Sequence, residues 1–294
     1  MKTTKISADF PFESKYLEVK GSKIHFIEEG EGDPILFLHG APTSNYLWRN
    51  VIPHLSKQGR CIAPDLIGMG RSGKPDIDYG FQDSYDYLDA FINGLGLKNV
   101  TLVLHDWGSG LGFHYANLNR DNIKAIAFME AMTKTFEFSQ LPLNLKIAMK
   151  MMRAPVIGWL MVQVANVFIK KMLPDLVSRK LTNKEKEAYA APYPTISSRK
   201  PLRAWPKNVP FGGNPKVTFN AITNYLEWLK KTDIPKLFLY VEPGIAIIKE
   251  DVERIKKEWK NVKTVFLGKG LHFIQEDYPD EIGTEIKKWY NELK

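Results

Sequence analysis

A single cysteine, Cys61, stands among 294 residues, so no intramolecular disulfide can form and the fold must rest on its apolar core. That usage suits a reducing compartment, and a cytoplasmic location is expected. Long apolar runs are missing too. The greasiest stretch, 154–169, is broken by Gln163 and Asn166 and is too short and too polar to span a bilayer. Met1 to Phe10 lacks the apolar centre of a signal peptide. Neither a membrane span nor a membrane partner is expected. There is no internal repeat, low-complexity tract or Gly/Ser linker. The net charge of +8 is not gathered into one patch, because lysines alternate with acids, as in Lys184-Glu185-Lys186-Glu187 and Lys256-Lys257-Glu258. Mixed charge at that spacing marks solvated helix faces, which argues against a nucleic-acid partner. With 44% hydrophobic and 12% aromatic residues, the chain can fill the core of one large α/β domain or two average ones.

The apolar pattern is that of a mostly parallel sheet. Tyr16–Val19 and Lys23–Glu28 alternate like antiparallel strands with one wet face. Pro34–His39 is a continuous apolar run, the mark of a strand buried on both faces. Further strands are predicted over 60–63, 100–104, 123–129, 236–241 and 263–267, with helices over 84–94, 109–117, 252–259 and 280–293. Strand and helix in alternation place helices on both faces of the sheet. The alternation breaks between Ala131 and roughly Gly213, where the pattern is helical and rich in Met and Lys. The expected division is a main domain of residues 1–131 and 213–294 and a helical cap of residues 132–212.

The segment from Leu102 to Leu111 carries the chemistry. It reads as a buried strand running into a helix with Asp106 at the turn, a nucleophile elbow of the α/β-hydrolase fold. Here the nucleophile is a carboxylate, which on an alkyl carbon forms an ester that water must cleave. Taken alone, the aspartate could merely cap the helix. Three other predicted strand ends carry polar groups: His39-Gly40-Ala41-Pro42, Glu130 and His272. Ligands bind at that end of an open α/β sheet. The order Asp, Glu, His repeats the chain order of hydrolase triads on this fold.

These residues resemble the haloalkane dehalogenases. The likeness runs from about Phe10 to Trp289 through Phe37-Leu-His-Gly, Pro42-Thr-Ser, Tyr46-Leu-Trp-Arg-Asn and the stretch from Cys61 to Gly70. It continues with His105-Asp-Trp-Gly-Ser, Met129-Glu-Ala, Glu242-Pro-Gly and the stretch from Gly270 to Asp277. The subfamily it looks most like places the triad acid after the sixth strand; the cap from Thr133 to about Val164 is only loosely similar. The resemblance implies that Asp106 displaces halide, His272 activates water and Glu130 orients His272. It also implies that the N–H groups of Ala41 and Trp107 hold the oxyanion, and that the Trp107 indole donates to halide. No metal or organic cofactor is implied. The partners are a small apolar halogenated substrate, water and halide, on a monomer or weak homo-oligomer. Candidate pocket-wall residues are Trp107, Phe128, Phe138, Leu141, Phe168, Ile245, Leu271 and Phe273, all equally suited to the core.

The chain departs from the family in three places. Ala41 stands where an asparagine usually gives the second halide donor, and Asn45 is the nearest amide in sequence. Ser84 follows Asp83 where histidine is commoner. Leu104 stands where the fold at large prefers a small residue. Ala41 leaves open an epoxide hydrolase, in which cap tyrosines (Tyr189, Tyr193 or Tyr225) would protonate the epoxide and Glu242 could be the acid. A cofactor-free monooxygenase resembling coelenterazine luciferases and a binding-only scaffold also stay open.

Overall fold

In the computed structural model, which describes residues 6–135, 137–141 and 143–293, the apolar runs become strands buried on both faces. Within β3 (Pro34–Leu38), Leu36 and Leu38 enter one core cluster and Ile35 and Phe37 the other. The same alternation holds in β5 (Val100–His105) and β6 (Ile123–Ala131), where Leu102 and Ile126 oppose Val103 and Ala127. A period of two along a strand sends neighbours to opposite faces, so an unbroken apolar run needs cover on both sides. That cover comes from α1 (Phe81–Gly94), α2 (Asp106–Leu118), α8 (Lys216–Lys231) and α9 (Lys249–Glu258) on one face. On the other face α10 (Pro279–Glu292) contributes Ile282, Ile286 and Trp289.

The eight strands run in the order β1-β2-β4-β3-β5-β6-β7-β8, with β1 (Lys15–Val19), β2 (Ser22–Glu29), β4 (Arg60–Pro64), β7 (Lys236–Pro243) and β8 (Val262–Gly270) completing the sheet. Pairings of β1 with β2 and of β2 with β4 are antiparallel, and the rest are parallel. The strand order reverses between β3 and β5, and such a switch point opens a crevice at the carboxyl ends of the strands. Ala41 and Asp106 flank it.

A helical insertion follows β6, as the broken alternation predicts. It contains α3 (Leu143–Arg153), α4 (Pro155–Gly158), α5 (Leu173–Asp175), α6 (Asn183–Ala190) and α7 (Lys200–Asn208), with π-helical turns over Trp159–Val164 and Phe168–Met172. Among the described residues no strand lies between β6 and β7. The capping box of α6, Thr182 with Glu185, starts that helix by satisfying backbone donors its first turn leaves open.

The eight predicted strands and four predicted helices are all present. Helix α8 was not foreseen. Its buried residues Thr218, Ala221, Ile222, Tyr225 and Leu229 follow a helical period, but Val217, Thr218, Ile222 and Thr223 are β-branched and lower helix propensity. Leu104, unexpected in a tight elbow, fits because Gly112 faces it from α2, where a Cβ would lie 2.4 Å from the leucine Cδ2.

Candidate active site

Asp106 and Glu130 end adjacent parallel strands, and both have left-handed backbone, φ 47° and 41°. Non-glycine residues rarely adopt that region, and when held there they mark a site the surrounding fold enforces. Ser109 clips the two ends together: its hydroxyl donates to the Asp106 carbonyl and accepts from Met132 N–H at 2.8 Å. The turn after β3 closes from the other side, with Ala41 N–H donating to Asp106 Oδ1 at 2.9 Å. Gly40 is needed for that approach, because a Cβ there would fall 2.0 Å from the same oxygen. His39 holds the turn, donating from Nδ1 to the Gly40 carbonyl at 2.9 Å and accepting at Nε2 from Leu66 N–H at 3.0 Å. Burial pushes its pKa down, which suits this neutral tautomer.

His272 completes a chain of titratable groups. Its Nε2 lies 3.4 Å from Asp106 Oδ2 and its Nδ1 3.0 Å from Glu130 Oε2. Glu130 is itself fixed by the N–H groups of Ile245, at 3.0 Å, and Ala246, at 2.8 Å. Burial alone would lower the His272 pKa, but hydrogen bonds to Asp106 and Glu130 raise it to about 9. Burial would likewise raise the Asp106 pKa, yet the bond and charge of His272 and the Trp107 backbone N–H hold it below the usual carboxylate range. The resting site is therefore an ion pair at neutral pH, a carboxylate facing an imidazolium. His105, pushed down to about 3 chiefly by burial, is neutral, and its Nε2 donates to the His272 carbonyl at 3.0 Å.

The insertion grips the His272 loop from outside. The Leu176 carbonyl accepts from both His272 N–H and Phe273 N–H at 3.1 Å. Beside it lies a buried cluster of two arginines and two glutamates. Arg49 donates from Nη2 to Glu185 and to Glu276, each at 2.8 Å, and Arg179 from Nη1 to Glu185 at 3.0 Å. Tyr189 OH donates to Glu276. None of these roles was legible in the sequence, because all but the Arg179–Glu185 bond join residues far apart in the chain.

The structure brings Asp106, Glu130, His272, Ala41 and Trp107 together. Trp107 is buried against Trp205, ring centroids 4.9 Å apart, and its Nε1 makes no hydrogen bond to a described residue. The expected pocket wall divides. Phe128 is placed in the core, stacked on Phe238 at 4.9 Å with Phe113 and Trp259 beside it, because it points to the face of β6 that α2 and α8 cover. Phe273 lies behind His272, 4.8 Å between centroids, in a cluster with Tyr46, Leu173 and Tyr189. Ile245 offers Glu130 its backbone N–H, and its side chain is exposed. Phe168 joins the cluster that contains Trp107 and Trp205, Phe138 packs on Phe211 at 4.0 Å, and Leu141 and Leu271 are half-buried. A cavity of about 430 Å³ opens elsewhere, between the N-terminal segment and α6, lined by Phe10, Asn45, Arg71 and Lys184 but by none of the triad. Glu242 is exposed, so the acid beside His272 is Glu130. Ser84 is buried with no partner for its hydroxyl among the described residues, and nothing in the structure explains it.

The class follows first: residues 33–279 match the model of the α/β-hydrolase fold family. Within it, the chain is 41% identical over 291 residues to a haloalkane dehalogenase of Sphingobium indicum, covering 97% of each. It superposes with TM-score 0.93 on the haloalkane dehalogenase DbeA from Bradyrhizobium elkani, at 36% identity, covering 96% of this chain and 98% of that one. On the haloalkane dehalogenase DatA from Agrobacterium tumefaciens the TM-score is 0.91 at 35% identity, covering 96% and 97%. The chain belongs to the haloalkane dehalogenases, hydrolases acting on carbon–halide bonds.

Proposed function

We propose that the protein hydrolyses haloalkanes through an alkyl ester on Asp106. The observation that carries this reading is the 3.4 Å and 3.0 Å succession from Asp106 through His272 to Glu130, with Ala41 N–H on the far carboxylate oxygen. Oδ1, held by backbone N–H groups, becomes the ester carbonyl, and Oδ2 attacks the halogen-bearing carbon while halide leaves with the bond pair. Trp107 Nε1–H is the donor offered to the halide. Water then adds to Cγ of Asp106, giving its proton to His272 Nε2. Collapse breaks the alkyl–oxygen link to Cγ and returns that proton to the departing alkoxide, and the second water proton passes from the new carboxyl to His272, restoring the carboxylate–imidazolium pair. Glu130 keeps Nδ1 protonated throughout. The substrate is a small apolar halide in a site closed by the helical insertion.

Halide release from 1-bromobutane and 1,2-dibromoethane, with styrene oxide alongside, tests this. Epoxide opening without halide release would move the enzyme to the sister class. Dehalogenation is favoured by the tyrosines. The hydroxyls of Tyr189, Tyr193 and Tyr225 are committed to Glu276, to Met69 Sδ at 3.0 Å and to the Met132 carbonyl at 2.8 Å. None of the three is left to protonate an epoxide.

Ala41 weakens the halide clamp in this reading. Its methyl donates nothing, and the Asn45 amide is turned away toward the Ala63 carbonyl at 3.1 Å. One preorganised donor to a developing anion is worth roughly 3 kcal/mol, about a hundredfold in rate. Ala41→Asn should therefore speed alkylation by about that factor and tighten bromide binding, as stopped-flow kinetics would record. An unchanged alkylation rate would mean that the halide sits elsewhere.

Esterification should also retune His272. Of the two carboxylates that lift its pKa to about 9, Asp106 loses its charge when it is alkylated, so the imidazole loses its proton more easily when it must act as a base. NMR on the free enzyme should find the ring titrating near 9. The pH profile of single-turnover ester hydrolysis should inflect lower. Coincident values would mean that Asp106 does not set the histidine's charge.

A further inference from the structure

We infer that the outer face of the helical insertion docks on an anionic phospholipid bilayer. The sequence from residue 138 to residue 174 holds five cations, Lys146, Lys150, Arg153, Lys170 and Lys171, and no acid. Elsewhere in the chain lysines alternate with glutamates, so this bias is local. The same stretch holds more than half of the large apolar side chains that stand in solvent among the described residues. On α3, Leu143, Ile147 and Met151 recur every four residues and are exposed, Leu143 to 73%. On the next segment Val156, Leu160 and Val164 do likewise, Val156 to 67%, with Ile157 and Trp159 beside them. The opposite sides of these segments are anchored in the fold through buried Met152 and Val162. The two segments, Leu145–Arg153 and Pro155–Val164, meet at 92°. They present an L-shaped apolar face rather than a rod.

Soluble monomers rarely expose so many apolar side chains together without a partner. Charge complementarity selects that partner. Apolar stripes with Trp and Leu, rimmed by lysine, are the pattern of helices that lie in a membrane interface, where anionic headgroups meet the lysines. A second copy of the chain would set the same cations against each other across a two-fold axis. Lys150 and Lys170 have no acidic partner among the described residues, whereas Lys171 pairs with Asp175 at 2.9 Å and Arg153 holds the carbonyls of Pro206 and Val209. Two cations are thus available to headgroups without breaking internal bonds. Among the described residues no single helix is long and apolar enough to cross a membrane. The lack of a span, from which no membrane partner was expected, leaves a surface contact open. Apolar substrates concentrate in bilayers, so on the proposed reaction this orientation would set the insertion against their reservoir.

Co-sedimentation of the full chain with phosphatidylcholine vesicles, with and without phosphatidylglycerol, tests the inference. Binding should need phosphatidylglycerol and weaken as salt rises. Reversing Lys150 and Lys170 (K150E with K170E) should lower the partition coefficient by more than about tenfold, since each charge near the surface is worth roughly fivefold. V156E with L160E should abolish binding while the thermal midpoint and turnover of soluble 1-bromobutane stay as they were. Equal affinity for both vesicles, no binding to either, or binding indifferent to these variants would overturn the inference. So would a dimer in sedimentation velocity that V156E with L160E dissolves, which would assign the face to a second copy.

Discussion

Replacing His272 with phenylalanine is expected to leave alkylation standing and to stop hydrolysis. The ring stays in its slot, because His272 N–H and Phe273 N–H are both fixed by the Leu176 carbonyl and Phe273 packs behind, none of which involves the imidazole nitrogens. Asp106 remains ionised, since Ala41 and Trp107 N–H groups still favour its charged form. Its attack on a bromoalkane needs no base. The second half does need one: water must lose a proton as it adds to Cγ, and a positioned general base typically gives 10²–10⁴ in rate. Turnover should fall by about that factor. One equivalent of bromide should appear in a burst, and the peptide carrying Asp106 should gain the mass of one butyl group. A variant that turns over slowly with no adduct would show that halide is displaced by water directly and that Asp106 is no nucleophile.

The catalytic set was legible because its parts are local. Asp106 follows a continuous apolar run and precedes a helix, a pattern contained within ten residues. Glu130 and His272 likewise end apolar runs, and the sheet places strand ends together. Side-chain direction at a strand was less legible. Phe128 lies two residues before Glu130 on the same strand, yet its ring joins Phe113 and Trp259 in the core. The supports of the site were not legible at all. Arg49 and Glu276 are 227 residues apart and meet only because the turn after β3 and the loop after β8 end at one rim of the sheet. No period or spacing encodes that meeting. Backbone donors such as Ile245 and Ala246 N–H, and the Leu176 carbonyl, carry no side-chain signature either.

That buried cluster makes Arg49→Met the second large effect. Arg49, Glu185 and Glu276 are almost fully buried, and the guanidinium lies between both carboxylates. Burial opposes every charge here, yet Glu185 is held down to about 2, chiefly by Arg179 and by Thr182 N–H at 2.7 Å. Removing Arg49 leaves Arg179 alone to neutralise two acids. Breaking a buried pair from one side typically costs about 3–5 kcal/mol, because the charge left behind stays desolvated, and a fall of roughly 5–8 °C in Tm is expected for a chain this long. The folded carboxyl of Glu185 titrates below its unfolded value of 4.5. The contribution of Glu185 is therefore complete above that pH and fades as pH falls toward 2. The Tm difference between wild type and Arg49→Met should shrink in strong acid. Function should suffer unevenly as well. Glu276 lies four residues after His272, and Arg179 Nε donates to its carbonyl, so loosening the cluster frees the loop that positions the base but not the elbow that holds the nucleophile. Pre-steady-state kinetics should show ester hydrolysis slowed more than alkylation. Equal slowing of both steps would mean that the cluster supports the fold as a whole and has no particular hold on His272.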